Sequence, residues 1–508
     1  MQLPAATTVD MGPNEVRSIS TCLPCSCFSR SWPARGSTQS WPRHGLTQSW
    51  PHYRVWLTTQ VLDISGKVRL VGDAPGSTVL SWSRNMAPAP DALVVCGGPG
   101  YGRIANLTVM VTSAVGIAVH FSGAAGCALD TVEIVVSVDP AGPPIRNAFS
   151  ATHSSHFRLS DVSIFHSGNC TASWPQNTAY YVGSCSDGAF ENVTILSGCQ
   201  GDSTDSSQRV VFDLVSAVSV GQDSQGDGFS TFTRPNILQN IYISRGLDVG
   251  NPSAAKRWES MTFDGPGGLY FGTADSSSID PTTNSETWHA AFAPIKNPYL
   301  EPVGLAAVVM QGENVGAVAR VTNASDDQTT WTVTPPLFLG SKTGAPSVIS
   351  VVPYRGQILW EANAYLNDTT WQLFGVAIDI TSVGNYMQNV TAGMQAWGLL
   401  YQGGWQPNYG LYFGDNTLRC SGGLTAISSD DTHYTPPIPF TGPFNRLLLY
   451  RRNALLAGSS FKMEDATWDV YAEGLQFAGA PCLAGGPVLP PGHVSIGPNT
   501  QRVYIRDD

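Results

Sequence analysis

The sequence predicts an all-β chain: a right-handed parallel β-helix, a solenoid, carrying a small antiparallel β insertion. Three observations carry this. No stretch holds a 3.6-residue apolar period for long, so helix is scarce. From residue 58, short Val/Ile/Leu runs alternate with Gly, Ser, Asn and Asp. A short pattern, apolar-x-polar-apolar-x-apolar, then recurs along the chain, which is the signature of a repeat architecture.

The repeats come in two series. The first reads Ile104-Ala-Asn106-Leu-Thr-Val109, Leu129-Asp-Thr-Val-Glu-Ile134, Leu159-Ser-Asp161-Val-Ser-Ile164, Phe190-Glu-Asn192-Val-Thr-Ile195 and Leu238-Gln-Asn240-Ile-Tyr-Ile243, with starts 25, 30, 31 and 48 residues apart. The last gap fits two coils, with Val211-Phe-Asp-Leu214 near its middle. The second series is centred on Asn363, Asn385, Asn416 and Asn453, with Gly474 and Asp507 in phase, at steps of 22, 31, 37, 21 and 33 residues. A strand with two or three inward apolar residues cannot bury its face alone, whereas coils stacked on one another share a continuous core. A repeated Asn at a bend satisfies turn backbone that would otherwise be buried unpaired. Unequal steps place loops outside a fixed core. A β-propeller needs blades of about 40–50 residues, longer than the 21–25 residue steps seen here.

Taken in order, residues 1–57 are a low-complexity segment, expected to be poorly ordered. They contain Ser31-Trp32-Pro33, Ser40-Trp41-Pro42 and Ser49-Trp50-Pro51, a nine-residue repeat whose prolines block helix interiors and central strands. Residues 58–259 form a first block of coils. Residues 260–353 lose the Asn phase but alternate strongly, as in Ala317-Val-Ala-Arg-Val321 and Trp331-Thr-Val333. Asp326-Asp327 supply a turn there and Pro335-Pro336 end a strand, so this is an antiparallel insertion. Residues 354–508 form a second block, which stops in mid-phase; continuation or association at that end is the expectation.

Composition narrows function. The net charge is −11 and only 13% of residues are charged. Nucleic acid is excluded as a partner, since phosphate neutralisation needs clustered Lys and Arg. No apolar run reaches the roughly 18–20 residues of a membrane span. Six sequons, at Asn106, Asn169, Asn192, Asn323, Asn367 and Asn389, and ten cysteines point to an extracellular or cell-surface setting. Cys170, Cys185 and Cys199 are close enough in sequence for local bridges. Cys22-x-x-Cys25-x-Cys27 has no matching Cys/His pair at zinc spacing, so no metal is expected. The first residues show no charged-then-apolar leader pattern, and a misplaced or truncated start is expected.

The coil pattern resembles the pectate-lyase-like, right-handed parallel β-helix superfamily. Residues 259–508 further resemble a group of secreted β-helix repeat proteins of largely uncharacterised function. The segments that carry this are Glu259-Ser-Met-Thr-Phe-Asp264-Gly-Pro-Gly-Gly, Phe374-Gly-Val-Ala-Ile-Asp379 and Trp397-Gly-Leu-Leu-Tyr-Gln-Gly-Gly-Trp405-Gln-Pro-Asn-Tyr409. In that group the stretch after the insertion often reads Gly-Gln-x-Arg-x-Val; here it is Val315-Gly-Ala-Val-Ala-Arg320-Val, without the Gln. The resemblance implies an extracellular polysaccharide setting. It implies no particular reaction, because the fold hosts lyases, hydrolases, esterases, epimerases and adhesins.

Inward side chains of a solenoid are core, so chemistry must come from outward residues and bordering loops. Asp379 is outward by alternation in Val376-Ala-Ile378-Asp-Ile380, with Gln357 and Gly410 at the same phase in neighbouring coils. Trp397, Trp405, Gln406 and Tyr409 are expected to wall a sugar-binding groove, with Gln357 and Arg355 as further binding residues. Glu259 and Asp264 open the insertion and are candidate partner carboxylates. His289 reads as a surface loop residue, and Asp223-Ser-Gln-Gly-Asp227-Gly lacks the spacing and terminal Glu of a calcium loop. A hydrolase needs two carboxylates; a lyase needs a base and a neutralising cation, with Arg320, Arg355 and Arg257 nearest. Acidic residues, few lysines and many tryptophans favour hydrolysis of neutral or weakly charged glycans. The competing classes are a non-catalytic glycan-binding or structural β-helix and a polysaccharide lyase. No cofactor is expected, and the partner is a polysaccharide substrate or glycan ligand.

Overall fold

The structure is a computed structural model that describes residues 8–10, 54–58, 61–82, 91–111, 115–137, 147–167, 178–197, 200–219, 232–233, 237–250, 261–264, 267–340, 346–368, 370–401, 404–430, 438, 440–464, 466–478 and 493–506. The Ser-Trp-Pro repeats, the Cys22–Cys27 cluster and the Asp223–Asp227 segment lie outside these residues. Every regular element among the described residues is a strand, and none of them is a helix long and apolar enough to cross a membrane.

The strands form a 23-stranded sheet, a six-stranded sheet, an eight-stranded sheet and a closed six-stranded antiparallel barrel. Outside the barrel the pairing is almost entirely parallel. The chain alternates between sheets. Trp371–Phe374 lies in the eight-stranded sheet, Ala377–Val383 and Tyr386–Gln388 in the large one, and Met394–Tyr401 returns to pair with Trp371–Phe374. Asn408–Gly414 then pairs with Ala377–Val383. This repeated return is a solenoid-like arrangement. Val211–Asp213 pairs with Ala189–Ser197 on one side and Ile237–Ser244 on the other, filling the 48-residue gap of the first series.

Inward positions of successive coils stack like on like. Phe190 lies on Phe212 with ring centroids 4.9 Å apart, and Phe413 on Tyr450 at 5.0 Å. Together with Leu129, Ile164, Leu238 and Leu448 they belong to one continuous buried core. Cys96 and Cys127 form a disulfide across 31 residues of sequence. Cys185, expected to bridge locally, is instead a buried free thiol, and burial raises its pKa to about 11. Cys170 and Cys199 lie outside the described residues.

The coils turn through single left-handed residues. One bend column comprises Leu214, Arg245, Ala362, Gly384, Asp415, Arg452 and Gly474, with φ between +49° and +65°. The backbone N–H of each still donates to the neighbouring coil, at 2.9–3.2 Å, so the ladder survives the turn. After Ala362, Gly384, Asp415 and Arg452 the next residue inward is the predicted Asn. The side-chain oxygen of Asn385 accepts from the backbone N–H of Asn363 (2.9 Å) and from its side-chain amide (3.0 Å). Asn416 does the same for Asn385, and Asn453 for Asn416, each at 3.0 Å. All four are essentially unexposed. The first series departs from this scheme. Asn106, Asp161 and Asn192 occupy the left-handed bend itself, at φ +53° to +54°. Asn240 belongs to a second bend column, opposite Gln357. Two series that look alike in sequence therefore sit at different registers.

The barrel is built from Tyr270–Asp280, Ser285–Ala290, Ala306–Gln311, Val318–Ala324, Thr330–Thr334 and Val348–Val352. The strand Met261–Asp264, ahead of it, pairs in parallel in the eight-stranded sheet. Trp288 and Trp331 stack inside the barrel at 5.9 Å, with Leu305, Val309 and Val351 around them. Buried Glu286 accepts the backbone N–H groups of Phe338 (2.7 Å) and Leu339 (2.9 Å), pinning the segment after Pro336. The outer face of the barrel is also apolar. Phe271, Val308, Met310 and Val352 pack on Val376, Ile378, Trp405, Tyr409 and Phe444, forming a second core between barrel and coils.

Three outcomes follow from this packing. Replacing Asn416 by Leu leaves the buried N–H of Asn385 without its acceptor, and urea unfolding should show a loss on the order of 1–3 kcal/mol or more. Trp405→Ala removes the ring that meets Phe271, Phe440 and Phe444. It should cost about 3–5 kcal/mol and make the barrel's attachment protease-sensitive. His166 is an inward, fully buried residue whose ring nitrogens have no hydrogen-bond partner among the described residues. Burial lowers its pKa from 6.5 to about 4. It therefore stays neutral in the fold while the unfolded chain takes up a proton, so stability falls as pH drops from about 6.5 toward 4. Melting curves across that range should be flatter for His166→Phe than for the parent chain.

Candidate functional site

The second bend column runs through Asp187, Arg209, Asn240, Gln357, Asp379, Gly410, Leu447, Asp469 and Arg502, all with φ between +53° and +70°. A left-handed residue breaks strand alternation and turns its side chain away from the core. Asp379 is exposed for this reason. Its register neighbours are Gln357 and Gly410, as the spacing predicts. A Cβ built on Gly410 would meet only the Asp379 backbone, at 3.6 Å and beyond, so the space beside the carboxylate is open.

Acids at the bends are otherwise paired with the neighbouring coil. Asp187 pairs with Arg209 at 2.6 Å and Asp415 with Arg452 at 2.7 Å. Asp469 pairs with Arg446 at 2.6 Å and also with Arg502. Asp161 accepts from the Asn192 amide at 2.6 Å. The hydrogen bond from Arg209 holds Asp187 near a pKa of about 2, and that from Arg502 does the same for Asp469. Asp379 has an amide on one side and a glycine on the other, and no ion pair among the described residues.

A polar cluster from the barrel reaches the same place. The Arg320 guanidinium lies 3.7 Å from the centroid of the Tyr354 ring and reaches Gln239 Oε1 at 3.4 Å. The Gln239 amide donates to Gln357 Oε1 at 2.7 Å. Tyr354 folds over Gly356, where a Cβ would fall 2.9 Å from its hydroxyl. Burial raises the Tyr354 phenol, the Arg320 charge lowers it, and the Asp379 charge raises it. Burial also pushes the Arg320 guanidinium below its ordinary value. A carboxylate, a phenol, a guanidinium and two amides thus meet at the foot of the barrel.

The remaining predicted residues are distributed differently. Trp405, Gln406, Tyr409 and Arg355 are buried, none more than 5% exposed. Trp405 and Tyr409 belong to the barrel footing, and Tyr409 donates its hydroxyl to Pro443 O at 2.8 Å. They present no ring face to solvent, which corrects the expected aromatic wall: outward alternation is the same whether a residue meets water or a docked barrel. Trp397 is half-buried in the eight-stranded sheet, edge-on to Phe374 at 5.1 Å. Asp264 ends the strand Met261–Asp264, whose Met261 and Thr262 pair with Trp371 and Gln372. Val376 and Ile378, which lie between Phe374 and Asp379 in the chain, are covered by the barrel. The covered pair thus lies between the Phe374–Trp397 row and Asp379. Glu259 lies outside the described residues. His289 is on a strand rather than a loop, exposed and bonded to Thr330 at 3.0 Å. Tyr354 was not singled out by sequence. Its signal was the pair Tyr354-x-Gly356, which recurs at Tyr181-x-Gly183, Tyr270-x-Gly272 and Tyr412-x-Gly414, in each of which the ring covers the glycine.

No protein-family model matches the chain, and no curated protein matches it. The solved structures it resembles include a variant of the catalytic domain of GH87 alpha-1,3-glucanase in complex with nigerose, at 9% identity and TM-score 0.42, covering 87% of this chain and 62% of that one. A Yersinia enterocolitica family 28 exopolygalacturonase matches at 9% identity and TM-score 0.38, covering 90% and 72%. The Streptococcus pneumoniae surface protein and adhesin PfbA matches at 8% identity and TM-score 0.34, covering 90% of each chain. The chain spans less than two thirds of the length of the glucanase domain.

Proposed function

We propose that this chain is a secreted, carbohydrate-active, right-handed parallel β-helix protein that hydrolyses glycosidic bonds of an extracellular polysaccharide at the foot of its barrel. One observation carries the reading. Asp379 is the bend-column acid left without a partner, beside an open glycine, where every described acid compared above is tied to the next coil. An exposed, unpaired carboxylate next to vacant space is what a general acid or nucleophile requires. In this reading Arg320, Gln239 and Gln357 orient the sugar, with Tyr354 held beneath. The second carboxylate in this reading is Glu259 or Asp264, which open the insertion. The sequons and the Cys96–Cys127 disulfide support an extracellular setting.

A second reading, a non-catalytic glycan-binding β-helix, is favoured by one feature. The nearest column positions, Asn240, Gln357, Gly410 and Leu447, hold no second carboxylate. A screen of the secreted protein against neutral and acidic polysaccharides, scoring new reducing ends and unsaturated products separately, decides between them. On an active substrate Asp379→Asn should lower kcat by on the order of 10²–10⁴-fold, with an unchanged melting temperature because the site is exposed. Full activity in Asp379→Asn would remove the assignment. Unsaturated products would replace hydrolysis by elimination, and binding without products would support the second reading.

A further inference from the structure

We propose that the outward row Tyr412–Leu449–Tyr471 is a docking track for a neutral polysaccharide chain lying along the stack of coils. It leads through Thr381 toward Asp379, and in that respect it rests on the function proposed above. The register places Thr381 beside Tyr412, Tyr412 beside Leu449 and Leu449 beside Tyr471. Leu449 and Tyr471 are each 38% exposed, high for apolar side chains at the centre of a sheet. Neighbouring parallel strands are about 4.8 Å apart, so the two tyrosines stand about 10 Å apart along the stack.

The rings are held flat rather than upright. Tyr412 lies over Gly414, where a Cβ would fall 2.5 Å from its hydroxyl. Tyr471 donates its hydroxyl to Glu473, two residues on in its own strand, at 2.9 Å. A ring laid along its strand and tethered at its tip turns a π face outward, and its rotamer freedom is already spent. Such a face suits the C–H surface of a pyranose.

The charges beside the track are consumed internally. Glu473 also pairs with Arg451 at 2.5 Å, Asp415 with Arg452 at 2.7 Å, and Asp469 with Arg446 at 2.6 Å. A charged polymer would have to break these pairs to find a counter-ion, whereas a neutral chain need not. That match of an uncharged ligand to a charge-neutral surface selects a neutral glycan over an acidic one, and Thr381, two residues after Asp379 in the same strand, joins the track to the carboxylate.

The test uses the full chain and a panel of soluble neutral hexasaccharides (glucan, xylan and mannan), with an oligogalacturonate as the charged comparison, followed by calorimetry. At least one neutral hexasaccharide should bind. Tyr471→Ala should weaken that binding about tenfold, Leu449→Asp should do the same, and Tyr471→Phe should keep most of it, which excludes misfolding as the cause. The proposal is overturned if no neutral probe binds, if the oligogalacturonate binds more tightly, if Tyr471→Ala and Leu449→Asp leave affinity unchanged, or if these variants dissociate a dimer, since the row would then be a contact between copies. Its failure is separable from that of the hydrolase. Tyr471-dependent binding without turnover sinks the hydrolase alone, and Asp379-dependent turnover with no effect at Tyr471 and Leu449 sinks the track alone.

Discussion

A chain that returns on itself every few strands must turn without abandoning its hydrogen-bond ladder, and the rest of this structure follows from how it does so. Each bend uses one left-handed residue, a conformation that costs an L-residue roughly 1–2 kcal/mol. The cost is offset because the bend N–H still reaches the next coil, as Arg245 does to Glu361 and Arg452 to Glu473. The residue after the bend in the second block is the buried Asn of the ladder, which accepts from the neighbouring backbone and side-chain amide together. One left-handed residue and one amide therefore replace the water that would solvate an ordinary turn.

The same device sets the outer surface. In the two columns described, the bend side chains point outward, so bends on adjacent coils form columns of facing groups. Where the column supplies opposite charges it makes exposed ion pairs such as Arg209–Asp187. Individually these contribute little to stability. Their larger effect is to neutralise the surface, so that an unpaired member stands out. Asp379 is such a member, and the Tyr412–Tyr471 row lies on a face from which free charge has been removed by pairing.

Sequence made the coil pattern legible because like residues recur at like positions. Asn363, Asn385, Asn416 and Asn453 could be aligned by a residue type that has one physical use at that position. The barrel was visible as strong alternation bounded by Asp326-Asp327 and Pro335-Pro336: the strand Thr330–Thr334 stops at those prolines, and Asp327 caps the turn through the Thr329 N–H at 3.2 Å. The barrel's docking was not visible. Trp405 and Tyr409 alternate outward just as solvent-facing residues would, and only the apolar outer face of the barrel, contributed by Phe271 and Met310, distinguishes a footing from a groove. Asp379 was placed outward for the wrong reason. Val376 and Ile378 face the barrel rather than the coil core, where Ala377 and Ile380 lie, so the expected alternation does not hold and it is the left-handed bend that turns the carboxylate out.

The barrel footing then decides which residues can cooperate. By covering Val376 and Ile378 it separates Phe374 and Trp397 from Asp379. It also brings Arg320 against Tyr354 and Gln239, groups that otherwise belong to different parts of the chain. Without the barrel, the large sheet would offer Asp379 as an isolated carboxylate on a flat surface. With it, the carboxylate gains one wall of guanidinium, phenol and amide, while its other side stays open at Gly410 and continues into the tyrosine row. A flat solenoid face binds by area; a face with a wall on one side fixes the position of whatever lies along it, and that asymmetry is what gives a bend residue the surroundings of a site.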